Sequence, residues 1–268
     1  MRGIRERIVF LGTGGGRMVT FTQVRATGGI YCELSGIRFV IDPGPGALAH
    51  LRRLKLKDPM GVLLSHAHVD HYTDVNVILD GINEKYGKGF LIAEKHCLDG
   101  EDMCVQRYIQ KKTACVFGVE PNDEVTIPNT SISIRTIPTR HNFPCVGFRI
   151  SAEKTTLCYS SDGFYYDGME TYFEGCDVAI FNVMVPYNSA PKELKHMSTD
   201  DVIKILNKLK EKPKLAVLHH FSFWMLRNNP HLQARIVEKQ TGVKTIAARD
   251  FAEIDLSKYR KSSQQTLR

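Results

Sequence analysis

The sequence predicts one layered α/β domain in which helices cover β-sheet. Three observations predict it. Short β-branched runs broken by turn residues fill the first two-thirds of the chain, and helical periodicity is confined to a few segments. No repeat, low-complexity tract or Pro/Gly-rich linker divides the 268 residues. Taken in order, runs at 8–11, 30–34, 38–41 and 62–64 read as strands, with Gly36 and Asp42-Pro43-Gly44 as breakers. Residues 74–85 place Val75, Ile78, Leu79 and Ile82 on one helix face. Strand runs follow at 90–93, 131–137, 146–150, 156–159 and 177–183. Ser198-Thr199-Asp200-Asp201 reads as a helix cap with acid in the first turn, and Val202, Ile205, Leu206 and Leu209 recur behind it at helical spacing. Residues 214–218 form a run of the buried-strand type; a last helix opens at Asn229-Pro230 and closes at Gly242. The single domain is expected to span 1–260, with 261–268 a loose polar tail.

Composition narrows the class. Apolar residues make up 43% and charged residues 24%, which excludes wholesale disorder and collagen-like structure. No apolar window approaches the length of about 18 residues needed to cross a bilayer, and the four apolar residues 8–11 are too few for a signal-peptide core. Seven cysteines, scattered and without a Cys-x-x-Cys pair, suit reduced thiols and a cytoplasmic location. The net charge of +7 favours anionic partners. Its densest runs, Arg52, Arg53, Lys55 and Lys57, then Lys208, Lys210 and Lys212, are interleaved with leucines and read as solvated faces of helices or loops.

Six residues carry the chemistry: His66-Ala67-His68-Val69-Asp70-His71, directly after the apolar run 62–64. Side chains two apart on an extended segment point the same way, so His66 and His68 can converge on one cation. Asp70 and His71, where the chain turns, can face a second. Imidazole with carboxylate suits zinc or manganese and not calcium. Four ligands cannot complete two sites. The further candidates are polar residues just past apolar strands: His141, Asp162, and the adjacent pair His219 and His220. His196 precedes the capped helix, whereas His50, His96 and His231 lack a preceding strand and read as surface residues. The run Gly12-Thr13-Gly14-Gly15-Gly16 invites a dinucleotide reading, but Arg17 occupies the third glycine position and no helical pattern follows. Gly14 and Gly15 can still offer backbone N–H groups to a phosphate; plain turn formation is the alternative.

The order of these motifs resembles the metallo-β-lactamase fold superfamily. Phe10-Leu11-Gly12-Thr13-Gly14-Gly15-Gly16, Val40-Ile41-Asp42-Pro43-Gly44, Tyr159-Ser160-Ser161-Asp162-Gly163 and His219-His220-Phe221-Ser222 are similar to its phosphodiesterase branch, which holds ribonuclease Z and the cyclic phosphodiesterase of phosphonate breakdown. The resemblance implies a four-layer αββα sandwich. It implies that His66, His68 and His141 hold one metal and Asp70, His71 and His220 the other, with Asp162 bridging. His220 rather than His219 matches because Phe-Ser directly follows the family's ligand. His196 resembles the family's non-ligand histidine near the leaving group.

The implied reaction is hydrolysis of a small cyclic or linear phosphodiester by a hydroxide shared between two divalent ions per chain, zinc first and manganese second. Asp70 would orient the hydroxide or take its proton, and His196 would stabilise or protonate the leaving group. The alternatives are an RNA endonuclease of ribonuclease Z type and a thioester or lactone hydrolase on the same fold. Two departures bear on substrate. His141 and Asp162 are 21 positions apart, which leaves no room for the long tRNA-gripping arm of ribonuclease Z. The segment 17–27 lacks the cysteines that bind an extra zinc in the phosphonate enzyme. The insert between His71 and His141 carries four acids within 94–103, Glu94, Asp99, Glu101 and Asp102, expected to repel RNA. The expected partners are thus a small phosphodiester, with RNA as the alternative, and no membrane; the oligomer to test for is a homodimer.

Overall fold

The structure, a computed structural model, describes residues 5–189 and 196–260; the tail read at 261–268 lies outside the described residues. The chain first lays down β1 (Arg7–Phe10), β2 (Ile30–Leu34), β3 (Ile37–Ile41), β4 (Gly61–Leu64), β5 (Phe90–Glu94) and β6 (Cys115–Val119). It continues with β7 (Glu124–Thr126), β8 (Ser133–Pro138), β9 (Val146–Ser151), β10 (Thr156–Tyr159), β11 (Val178–Asn182), β12 (Leu215–His219) and β13 (Thr245–Ala247). The last strand, β14 (Glu253–Asp255), returns to pair with β1. Two seven-stranded sheets result, ordered β14-β1-β2-β3-β4-β5-β6 and β13-β12-β11-β10-β9-β8-β7.

Strand alternation sends neighbouring side chains to opposite faces and so builds three layers of core. Ile8 and Phe10 of β1 face the second sheet, where Phe148, Ile150, Leu157 and Tyr159 meet them. Val9 and Leu11 face outward, under Leu51 of α2 (Ala47–Arg53) and Ile78 and Leu79 of α4 (Val75–Tyr86). On the far side, Ala179, Phe181 and Leu218 pack beneath Val202, Ile205 and Leu206 of α6 (Thr199–Lys208) and Val237 of α8 (Pro230–Thr241). The order is helix, sheet, sheet, helix, as the resemblance implies. Residues of the middle layer carry the most burial. Removing the ring of Phe148, fully buried there, costs roughly 3–5 kcal/mol by transfer and cavity terms.

The capped helix forms as its sequence specifies. Ser198 accepts from the Asp201 N–H while the Asp201 carboxylate accepts from the Ser198 N–H, a reciprocal box that satisfies two otherwise orphaned donors. Pro230 opens α8 and Gly242 closes it at φ 73°.

The structure corrects the sequence reading in several places. A helix does follow the glycine run: α1 (Arg17–Thr22). Of its six residues only Val19 is buried, so it carries no apolar period. Helix α2 likewise buries only Ala47 and Leu51, and the short β6, β7, β13 and β14 were not anticipated. Glu94 is not an exposed acid. It is buried and accepts from the His96 backbone, which leaves Asp99, Glu101 and Asp102 as the exposed acids of that insert.

Strand direction decides where a site can form. Two antiparallel steps, β1 to β2 to β3, return β3 to the direction of β1, and β4 runs parallel to β3. By the same count β8, β10, β11 and β12 share one direction. Ligand sites in open α/β sheets form beyond the carboxyl ends of such strands.

Candidate metal centre

Every candidate metal ligand follows one of those carboxyl ends. From β4 come Ser65 to His71, running into the short α3 (Val69–Tyr72). His141 follows β8, Asp162 follows β10 and His220 follows β12. The described residues hold two groups with ligand atoms inside 4.8 Å: His66, His68, His141 and Asp162, and Asp70, His71 and His220. His66 Nε2 stands 2.9 Å from His68 Nδ1, and His141 Nε2 3.2 Å from the same atom. A tetrahedral ion with bonds of about 2.0–2.1 Å would set such nitrogens about 3.3–3.4 Å apart. Asp162 Oδ2 lies between the groups, 3.6 Å from His71 Nε2 and 3.4 Å from His220 Nε2.

The residues fit divalent cations by three tests. His71 Nε2 and His220 Nε2 are buried without a hydrogen-bond partner, although both point toward Asp162. Buried polar atoms are rarely left so unless something else binds them. Three carboxylates, Asp42, Asp70 and Asp162, crowd the site, and every ion-pair contact they make among the described residues is to histidine, none to Lys or Arg. The donor set is nitrogen and oxygen without thiolate.

Titration follows from that crowding. Burial drives His66 well below its ordinary pKa, His71 adding to the effect, so its imidazole is neutral and offers a lone pair. Burial likewise lowers His68 and takes His141 down to about 4. For Asp162 burial acts the other way, but His220 and His71 outweigh it and hold the carboxyl well below the usual range.

A second ring of residues aims the candidate ligands. Asp42, at the end of β3, accepts from Ser65 N (2.8 Å), Ser65 Oγ (2.7 Å), Tyr159 OH (2.8 Å) and His71 Nδ1 (2.9 Å). That last bond fixes the ring so that Nδ1 donates to Asp42 and Nε2 is the nitrogen turned toward the cluster. Asn182, at the end of β11, donates to Asp162 Oδ1 at 2.8 Å and accepts from His219 Nδ1 at 3.1 Å. The sequence marks Asp42 only as a strand breaker within a motif, and Asn182 only as a position inside the run 177–183. The signal that finds both is a polar residue closing a run of buried apolar residues, Phe39 to Ile41 before Asp42 and Val178 to Phe181 before Asn182.

The neighbours His219 and His220 separate cleanly. Both ring nitrogens of His219 lie within 3.1 Å of protein oxygens, Asn182 Oδ1 and the Gly12 carbonyl, whereas the Nε2 of His220 has no hydrogen-bond partner. His220 is held at φ 61°, Asp42 at 49° and Ser161 at 54°. Left-handed backbone at non-glycine residues costs roughly 1–3 kcal/mol each and persists where the surroundings impose it.

The glycine run serves the ligands rather than a phosphate. Gly14 N–H donates to the Ala26 carbonyl, Gly15 N–H to that of Phe221, and Gly16 N–H to Asp70 Oδ2. The N–H groups expected to bind substrate are therefore taken. Gly14 lies off the cavity; Gly15 does line it, and a Cβ there would sit 2.2 Å from the His220 ring, so only glycine fits.

Over the cluster opens a cavity of about 740 Å³, lined by His68, Asp70, His141, Asp162 and His196 among others. His196 is not the helix cap, which Ser198 supplies; its Nδ1 stands 3.8 Å from Asp162 Oδ2 and its ring 5.2 Å from that of His141. His50, His96 and His231 lie elsewhere: the first packs on Phe251, the second on Glu94, and the third opens α8.

Comparison with known proteins bears on the family and the fold. A family model described as a beta-lactamase superfamily domain matches residues 37–221. The uncharacterized protein MJ1374 of Methanocaldococcus jannaschii is 32% identical over 261 residues, covering 94% of this chain and 96% of that one. Among solved structures, the metallo-beta-lactamase fold protein YhfI from Bacillus subtilis aligns with a TM-score of 0.74 at 16% identity, over 93% of this chain and 98% of that one. The short form of human tRNase Z aligns with a TM-score of 0.70 at 17% identity, over 93% and 99%.

Proposed function

Since the chain belongs to the beta-lactamase superfamily domain family and has the metallo-β-lactamase fold, we propose that it is a dinuclear metal-dependent phosphodiesterase acting on a small cyclic or linear phosphodiester. One observation carries the reading: two ligand groups meet at a shared, buried carboxylate, Asp162, on the floor of an open cavity.

His66, His68 and His141 would hold one ion, and Asp70, His71 and His220 the other, zinc or manganese, with Asp162 common to both. When bound, such a pair supplies a water-derived nucleophile at neutral pH and a clamp for phosphoryl oxygens. The chain's own residues do the rest. Asp70, its Oδ2 fixed by the Gly16 N–H, is placed to orient the attacking water and take its proton. Asn182 keeps Asp162 from rotating. His196 faces the cavity, and burial lowers its pKa, so at pH 7 it offers a neutral imidazole N–H to the charge developing on the leaving oxygen.

The tRNase Z neighbour supports phosphodiester chemistry, while the 21-position span from His141 to Asp162 supports a small substrate. That span is filled by β9, β10 and their turns, and no arm leaves it. The test is a screen of the zinc- and manganese-loaded protein on bis-p-nitrophenyl phosphate, a cyclic phosphodiester, a precursor tRNA, a thioester and a lactone. Turnover of the small phosphodiesters well above the rest is expected. Efficient cleavage at the tRNA 3′ end, or preference for thioester or lactone, would overturn the reading.

A further inference from the structure

The walls of the cavity differ in character from its floor. Around the cluster stand Met18, Val69, Phe143, Met184, Phe223 and Trp224, and among the described residues Arg17 is the one Lys or Arg that lines it. Met18 and Val69 are left 59% and 57% exposed at this wall, and Phe21, three residues on from Met18 along α1, is 83% exposed. A surface built to grip a polyanion carries many cations, each neutralising one phosphate. The cavity's described lining offers a single guanidinium and an apolar rim, so an apolar group entering it releases water from both partners.

We propose that one ester group of the substrate is an uncharged aryl group seated against Phe143 and Trp224, which makes the substrate class small aryl phosphodiesters. The proposal rests on the phosphodiesterase reading above. The floor fixes the phosphoryl group; the walls then select its substituent. Aromatic walls favour a ring over an alkyl chain, because ring pairs attract beyond their buried area. A cavity of about 740 Å³ holds a phosphoryl group with one or two rings and not a nucleic-acid stem. The reaction is ordinary hydrolysis: the oxygen of water bonds to phosphorus, the P–O ester bond breaks, and the leaving oxygen takes up a proton.

Trp224 is the only tryptophan of the chain, so its fluorescence reports on the wall without turnover. Titrating the zinc-loaded protein with phenylphosphonate and with methylphosphonate should show the phenyl compound binding roughly 10–100-fold tighter, the worth of seating one apolar ring. Phe143→Ala, outside the ligand set, should narrow that ratio several-fold while metal content stays unchanged. In parallel, p-nitrophenyl phenyl phosphate and p-nitrophenyl phosphorylcholine share a leaving group and differ only in the other ester. The phenyl ester should have the higher kcat/KM, again by roughly 10-fold or more. Equal binding of the two phosphonates would overturn the proposal, as would preference for the choline ester or for the p-nitrophenyl ester of thymidine 5′-phosphate. Failure to hydrolyse any phosphodiester, with phenylphosphonate still favoured, would remove the phosphodiesterase reading and leave the aryl subsite standing.

Discussion

Replacing Asp42 with asparagine changes one atom, and the structure lets its effect be worked through. Oδ1 of Asp42 faces the Ser65 backbone N–H, a donor that cannot reverse. The new amide nitrogen must therefore take the Oδ2 position, opposite Ser65 Oγ, Tyr159 OH and His71 Nδ1. The two hydroxyls can rotate to accept. The imidazole can accept only by moving its proton from Nδ1 to Nε2, which is the nitrogen that faces Asp162. The variant thus either loses the bond that orients His71 or blocks its ligand atom. Losses of this kind typically cost 10–100-fold in metal affinity, about 1.4–2.7 kcal/mol. Zinc affinity of Asp42→Asn measured by competition with a chromophoric chelator should fall by that factor, with the proposed phosphodiesterase activity falling alongside. A melting curve recorded in excess chelator separates this effect from unfolding. Zinc affinity within twofold of the parent would refute the tautomer argument.

Three further outcomes are expected. His220→Ala should lose metal and activity, whereas His219→Ala should lose mainly thermal stability, because His219 is buried with both ring nitrogens against protein oxygens; metal analysis and melting of the two variants decide this. His196→Ala should keep its metals and its melting temperature but lose roughly 10²–10⁴-fold in kcat, the usual worth of a proton-handling group; full activity or substantial metal loss would refute the assignment. Far from the site, hydrogen bonds from Lys85, Tyr86 and Arg52 hold the Asp58 carboxyl below its ordinary range. A depressed folded pKa gives stability that is present above the unfolded value of about 3.9 and lost as pH falls through the folded one. Chelator-treated Asp58→Asn should therefore show a flatter loss of stability than the parent over the acid limb below about pH 4, measured by denaturant melts.

The layers and the cluster were legible because their signals are local. Central strands such as β11 are buried on both faces and read as unbroken apolar runs, and six consecutive residues from His66 to His71 supply four of the seven candidate ligands. What was not legible depends on partners distant in sequence. The helix α1 buries one side chain, so no pattern announces it. The roles of Asp42 and Asn182 exist only once β3, β10 and β11 bring Tyr159, Ser65 and Asp162 beside them. Gly14 and Gly15 looked available for a phosphate because a sequence does not show that Ala26 and Phe221 supply their carbonyl partners.

The pairing of β14 with β1 has a consequence for how the chain is made. The first sheet gains its edge strand from residues 253–255, and Arg7 Nη1 reaches a carboxylate oxygen of Glu253, 246 positions away, at 2.7 Å. During synthesis β1 emerges before the other described strands, and its outer edge stays open until residues 253–255 have followed. Throughout that interval it presents unpaired N–H and C=O groups along a strand that carries Ile8, Val9 and Phe10, the kind of edge that templates misassociation. Closing a loop of this length carries an entropic cost that grows only as the logarithm of its length, so the closure burdens timing more than final stability. Trimming the chain before residue 253 would therefore leave every candidate metal ligand in place and still release a protein prone to aggregate through β1.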